Sequence, residues 1–198
     1  MKRAVLIAVV FALGVLAGYL ARDCRLQHGK PDLPRCVRVI DGDTITVLWY
    51  GETNAVRLVG IEAPEIRRGP KLQKQSSALN ISPDAMLRLG NSARQYAQAV
   101  LAGQPVTLVF QNGTKPEHDS FGRLLAYVEY AGSDLGSELI ENGYVWPRSE
   151  ERHPRLEEYE AIGESARAAK RGLHGWVGRI IHSLSRSPGF RSIRPAQS

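Results

Sequence analysis

The chain has 198 residues, of which 43% are hydrophobic and 23% charged. This balance excludes a chain that is disordered throughout and is sufficient for the core of one globular domain. The formal net charge is +6, but residues 1–35 and 176–198 contribute +4 each, which leaves residues 36–175 at −2. Global charge therefore gives no support for binding to a polyanion, and any such affinity has to come from local arginines.

The N-terminal segment 1–21 is predicted to enter the export route. Lys2 and Arg3 precede an uncharged, mostly apolar run of 18 residues at 4–21. That length lies between a signal peptide and a short membrane helix. We favour an uncleaved membrane anchor over a signal cleaved after Ala17. Both alternatives place the rest of the chain outside the cytoplasm, either membrane-anchored or, after cleavage, periplasmic or secreted.

Residues 22–35 have the glycine and prolines of a linker. Cys24 and Cys36 lie on either side of it, and in an exported protein such a pair can form one disulfide. Two unrelated thiols are the equally weighted alternative.

Five strands are predicted from alternating or β-branched apolar residues, at 36–40, 44–50, 55–61, 105–110 and 123–130. Helical spacing and terminal signals predict helices at 84–101, 133–143 and 155–171. The stretch 66–83 contains Gly, Pro and Ser and predicts a long exposed loop. The fold class is therefore α+β, a five-stranded OB-like Greek-key β-barrel with about three helices. It occupies residues 36–177, and a basic, disordered tail follows at 178–198.

Four stretches place charged side chains at turns and strand ends: IDGDT with Asp43, VRLVGIEAPE with Arg57, DSFGR with Arg123, and NGYVWPR with Arg148. Each has an ordinary explanation by itself. Asp-Gly is a common hairpin turn, and an arginine in a strand is often a solvated edge residue. Their occurrence together, in this order, is the informative observation.

The ordered stretches resemble those of the thermonuclease family, the staphylococcal-nuclease-like domains. The segment DGDTITVLWYGETNAVRLVGIEAPE carries the first part of the pattern. The later segments DSFGRLLAYV, GSELIENGYVW and ARAAKRGLHG follow in the family's order. The resemblance covers about residues 36–175.

The resemblance implies a Ca²⁺-dependent hydrolysis of phosphodiesters in DNA or RNA. Asp43, Glu62 and the backbone carbonyl of Ala63 would be the metal ligands, and hard oxygen donors of this kind suit Ca²⁺. Glu65 would be the base that activates water. Arg57 and Arg123 would hold the phosphate, for which the fork of a guanidinium is better shaped than an ammonium.

Three features depart from the family pattern. The second metal ligand is usually aspartate and is Glu62 here, so we expect metal binding to persist with an altered affinity or preference. Phe121 replaces a tyrosine and removes a hydroxyl that could contact a nucleotide phosphate. The loop at 67–83 is longer than in compact members, and its four basic residues would either contact the nucleic-acid backbone or keep the loop soluble.

Tyr144, Trp146 and Arg148 are candidate substrate-binding residues, because aromatic rings stack on bases of single strands. Packing in the core is the alternative for one of the two aromatic residues. The predicted partners are a nucleic-acid substrate and, if the anchor is retained, a membrane, and the protein is predicted to be a monomer. A non-catalytic OB-type domain that binds nucleic acid or protein at the cell envelope is the alternative function.

Overall fold

A computed structural model describes residues 33–175. From Pro34 onward these residues belong to one compact unit. The predicted anchor, the basic tail, Cys24 and most of the linker lie outside the described residues. Their assignments and the domain boundaries stay predictions. Within residues 33–175, no helix has both the length and the apolar character needed to cross a membrane.

The first four strands follow one another closely in the sequence. They are β1 (Arg35–Val39), β2 (Thr44–Trp49), β3 (Glu52–Leu58) and the short β4 (Ile61–Glu62). β1, β2 and β3 form an antiparallel meander. The predicted third strand at 55–61 is therefore two strands, separated at Gly60, which has φ +76°. Glycine adopts this conformation without the steric cost of a side chain.

The remaining elements are helices α1 (Pro70–Leu79) and α2 (Pro83–Leu101), strands β5 (Thr107–Val109), β6 (Glu117–His118), β7 (Leu124–Tyr130) and β8 (Ser133–Asp134), helix α3 (Leu135–Glu141), strand β9 (Trp146–Pro147) and helix α4 (Leu156–Ala168). The main sheet has the order β1-β2-β3-β7-β5, with β6 and β8 also paired to β7. β3 and β7 are parallel, whereas the other pairs are antiparallel. β4 and β9 form a separate two-stranded ribbon.

The main sheet curls, and its first strand also bonds to the segment that leads into β5. Cys36 N–H donates to Gln104 O at 3.1 Å, and Val106 N–H donates to Pro34 O at 2.7 Å. The interior of the curl is filled by apolar residues from β2, β3 and β7 together with the inner faces of α2 and α3. This architecture confirms the predicted OB-like α+β class.

The predicted loop at 66–83 is wrong, because most of it is helix α1. Pro70 occupies the first turn, where its missing N–H is not needed. Leu72 and Ser76 form the buried inner face of this helix. Asn80 ends it in the left-handed conformation with φ 52°. The Gly-Pro and serine residues that indicated a loop are thus the start and the inner face of an additional helix.

Candidate active site

Asp43 lies where the chain enters β2, and its carboxylate is buried. Asp41 shapes the preceding turn, because its Oδ1 accepts a hydrogen bond from Asp43 N–H at 3.0 Å. Asp43 Oδ2 accepts from Ala63 N–H at 2.8 Å, and Oδ1 accepts from the hydroxyl of Thr44 at 3.0 Å. Burial and the neighbouring Asp43 carboxylate raise the pKa of Asp41 to about 6.

Arg57 is placed beside Asp43 by strand register. In the β2–β3 pair Thr44 is opposite Arg57, so the guanidinium reaches the start of β2. Nη1 lies 2.8 Å from Asp43 Oδ1, and Nη2 donates to Glu62 Oε2 at 2.9 Å and to Ile61 O at 2.8 Å. The residue is only 7% exposed. Arg57 therefore joins the two carboxylates that the sequence predicted as metal ligands.

Arg123 reaches the same cleft from the segment that leads into β7. It precedes β7, the parallel neighbour of β3. Asp119 orients it, since Asp119 Oδ2 accepts from Nε at 2.7 Å and lies 2.7 Å from Nη2. Nη1 donates to Thr44 Oγ1 at 3.3 Å. A chain of contacts through Thr44 and Asp43 thus connects the guanidiniums of Arg123 and Arg57.

Phe121, which replaces the family's tyrosine, is 83% exposed. The guanidinium carbon of Arg123 lies 5.5 Å from the centre of its ring. This is a cation–π distance, so the ring contributes to holding Arg123 in place.

Two carboxylates of the same site, those of Glu62 and Glu65, share one ammonium. Lys71, in the first turn of α1, places Nζ 2.6 Å from Glu62 Oε1 and 2.7 Å from Glu65 Oε1. Burial lowers the pKa of Lys71, but the two hydrogen bonds to these carboxylates outweigh it, and the net pKa is raised. Lys71 is therefore a charged member of the site.

The backbone between these carboxylates is held from two sides. Gln75, one helical turn after the lysine, donates from Nε2 to Ala63 O at 3.0 Å and accepts from Glu65 N–H at 2.8 Å. On the other side α2 approaches closely at Gly90. A Cβ there would lie 2.5 Å from Pro64 O and 2.6 Å from Glu65 O, so only glycine permits the contact.

The charged groups line one cleft of about 310 Å³, whose walls include Asp41, Asp43, Arg57, Glu62, Ala63, Glu65, Lys71, Arg123 and Arg148. All predicted metal ligands, the predicted base and both predicted phosphate-binding arginines thus meet at one place. Strand register and the close packing of α1 and α2 bring them together.

The three predicted substrate-binding residues are placed differently. Arg148 lines the cleft, with its backbone N–H bonded to Gly60 O and its side chain 2.9 Å from Glu151. Trp146 lines an adjoining groove of about 580 Å³ between β9 and α1. Tyr144 packs against Tyr96 at a ring distance of 4.8 Å and contacts the main core. Arg148 therefore lies in the cleft, Trp146 lies in the adjoining groove, and Tyr144 packs against the main core.

Three residues that contribute to the cleft, Thr44, Lys71 and Gln75, were not predicted from the sequence as site residues. Thr44 was assigned only to a strand, although its hydroxyl connects the two arginines. Lys71 was counted as a loop charge, and Gln75 was not singled out. The i, i+4 spacing of Lys71 and Gln75 is the signal that would have placed both on one face of a helix.

The donors suit a hard divalent cation in chemical type. The carboxylates of Asp43 and Glu62 both contact Arg57, and Ala63 provides a carbonyl oxygen on the same wall. Oxygen ligands of this kind bind Ca²⁺. Within residues 33–175, however, no three acidic, His or Cys side chains form a ready-made metal cluster. Any cation here would rely on two carboxylates, backbone and water, and one of those carboxylates, Glu62, is already paired with Lys71.

A match to a known family agrees with this geometry. Residues 55–176 match the family described as Staphylococcal nuclease homologue, and the chain belongs to that family. The family resemblance found in the sequence is thereby confirmed.

Individual relatives extend the match beyond these residues. The chain is 34% identical to the endonuclease YhcR of Bacillus subtilis over 149 residues, which is 70% of this chain and 11% of that protein. It is 33% identical to an uncharacterized protein of Methanocaldococcus jannaschii, over 56% of each chain. A thermonuclease of Staphylococcus hyicus is 26% identical over 74% of this chain and 76% of its own length. The chain thus spans a small part of the first relative and about half of the second.

Proposed function

We propose that the protein is a nuclease that hydrolyses phosphodiester bonds of DNA or RNA with the help of Ca²⁺. The observation that carries the proposal is the convergence of two guanidiniums, Arg57 and Arg123, on one cleft that Glu62 and Glu65 also line. Family membership and the names of the relatives support it. The finer points, namely Ca²⁺, the residue roles and the substrate, are part of the proposal.

The two arginines bind the scissile phosphate. Attack by water adds negative charge to the non-bridging oxygens, and fixed positive groups stabilise that charge without reorganising. Arg57 is held in place by Asp43 and Glu62, and Arg123 by Asp119. Both guanidiniums are thus oriented before substrate arrives. Arg148, on the same cleft, adds a contact to the neighbouring phosphate or base.

Glu65 accepts the proton from the attacking water. Glu65 makes no ion pair with Arg57, whereas Asp43 and Glu62 both do, so of the three carboxylates predicted for this site Glu65 is the one best able to act as a base. Gln75 fixes its backbone. Asp43, Glu62 and the carbonyl of Ala63 are the groups that would hold Ca²⁺, which when bound offsets phosphate charge as a Lewis acid.

Export, and anchoring at a membrane through residues 1–21, belong to the same proposal, as does a monomeric state. The apolar run at 4–21 supports the first of these. Trp146 is proposed to stack on a base in the groove beside the cleft, and a role of Tyr144 in substrate binding stays a prediction.

The test uses the full chain in mild detergent with denatured DNA and with RNA. We expect cleavage with Ca²⁺, loss of cleavage in EDTA, and a fall of at least about a hundredfold for Glu65→Gln, since general-base catalysis contributes 10² or more. Glu164→Gln, at an exposed glutamate on α4, is the matched control and should keep full activity.

Cleavage that persists unchanged in EDTA would exclude the metal from the reaction. Binding of nucleic acid without cleavage in Ca²⁺, Mg²⁺ and Mn²⁺ would favour the alternative, a non-catalytic nucleic-acid-binding domain.

A further inference from the structure

We propose that Lys71 is a tethered competitor of the divalent cation, so that a cation can bind Glu62 only after the lysine has left, and that the same movement frees Glu65. The inference rests on the proposed function, because it concerns the same cleft. It depends on one atom, Lys71 Nζ, which lies within 2.7 Å of both carboxylates.

Both carboxylate oxygens of Glu62 are paired with positively charged side chains. Oε2 accepts from Arg57 Nη2 at 2.9 Å, and Oε1 lies 2.6 Å from Lys71 Nζ. Arg57 is buried and has further bonds to backbone carbonyls, so it is fixed. Lys71 is the partner that can leave, because its side chain is 56% exposed and ends a flexible stem.

Departure of the lysine does not require α1 to undock. Leu72 and Ser76 are buried beneath the helix, and Gln75 bonds to both Ala63 and Glu65. These contacts keep the helix on the cleft when the Lys71 side chain turns to solvent. The competition is thus a side-chain movement on a rigid support.

The two effects are coupled because one ammonium serves two carboxylates. While Nζ is bonded to Glu65 Oε1, that oxygen holds a donor and is a poor proton acceptor. A cation that displaces Nζ from Glu62 also removes it from Glu65. Cation binding and release of the base therefore occur together, and in the cation-free protein the lysine offsets part of the charge of the two carboxylates.

The test measures cation affinity directly, by calorimetric titration of the full chain with Ca²⁺ and by displacement of Tb³⁺ luminescence. Lys71→Met removes the ammonium and keeps the apolar stem. We expect it to bind Ca²⁺ about three- to tenfold more tightly, a modest factor because each partly exposed ion pair is weak. Lys71→Arg, which keeps the charge, should stay near wild type.

Lys74→Met is the matched control. Lys74 is exposed on the same helix, and the ammonium that pairs with both carboxylates is that of Lys71, so loss of the Lys74 charge should leave the Ca²⁺ affinity unchanged. A second readout is the melting temperature, which should fall in cation-free Lys71→Met, because Glu62 and Glu65 then repel each other, and should rise more on addition of Ca²⁺ than in wild type.

The proposed competition would be refuted if Lys71→Met bound Ca²⁺ with the same affinity as wild type and Lys74→Met. It would also be refuted if none of the three proteins bound a divalent cation. The outcome is separable from the proposed function. Unchanged affinity with normal DNA cleavage refutes only the competition, whereas tighter binding in Lys71→Met with no cleavage by either protein refutes only the nuclease.

Discussion

Replacement of Arg57 by lysine separates the charge of this residue from its geometry. The guanidinium contacts five acceptor atoms, which are Asp43 Oδ1, Glu62 Oε2 and the carbonyl oxygens of Asp43, Leu58 and Ile61. An ammonium has three donors at a single point, so at least two of these acceptors lose their bond to residue 57. The positive charge remains, but three donors cannot serve both carboxylates and all three carbonyl oxygens.

The expected cost follows from those acceptors. A buried acceptor left without a donor costs about 1–3 kcal/mol, so we expect Arg57→Lys to lower the free energy of unfolding by about 2–4 kcal/mol. The lower end is favoured because Asp43 O also accepts from Leu58 N–H at 2.8 Å. If the proposed phosphate contact is correct, cleavage of single-stranded DNA should fall at least about tenfold, because lysine cannot make the bidentate contact of a guanidinium with phosphate oxygens.

Urea unfolding followed by circular dichroism measures the stability, with Arg68→Lys as the control. Arg68 has an exposed pairing with Asp84, and its replacement should change the stability by less than about 0.5 kcal/mol. If Arg57→Lys is no less stable than Arg68→Lys, the bonds of the Arg57 guanidinium do not stabilise the cleft.

Two further predictions concern the scaffold. Gly90→Ala should destabilise the protein by about 1–3 kcal/mol, because the added methyl would clash with Pro64 O and Glu65 O, whereas the same change in a free helix stabilises; a rise of the urea midpoint would contradict the close approach. Burial lowers the pKa of His153, which is packed against Tyr127, below its ordinary value of 6.5. As the pH falls through 6.5 the unfolded chain therefore takes up a proton before the folded chain does, and stability decreases. His153→Gln should weaken that pH dependence in a series of urea midpoints, and an identical dependence in both proteins would remove His153 as its source.

Most of the secondary structure follows from local sequence. The alternation of apolar residues in β2 and β7 and the helical spacing of α2 and α4 predict these elements to within a few residues. Helix α1 was missed because Gly69 and Pro70 at its start and Ser76 on its inner face are residue types that also occur in loops. Leu72 and Ser76 become an inner face only when the rest of the protein covers them.

The ordered motifs in the sequence determined the family, the OB-like fold, and the identity of the charged groups that meet in the cleft. The chemical type of each charged side chain and the order of these side chains along the chain do not depend on conformation. The sequence does not determine which carboxylate pairs with which positively charged side chain. Arg57 reaches Asp43 through strand register, and Lys71 reaches Glu62 and Glu65 because α1 packs against the backbone between them. Those distances depend on strand pairing and on how α1 packs, which residue type and order do not specify, so tertiary structure alone decided that the ammonium of Lys71 pairs with the predicted metal ligand Glu62.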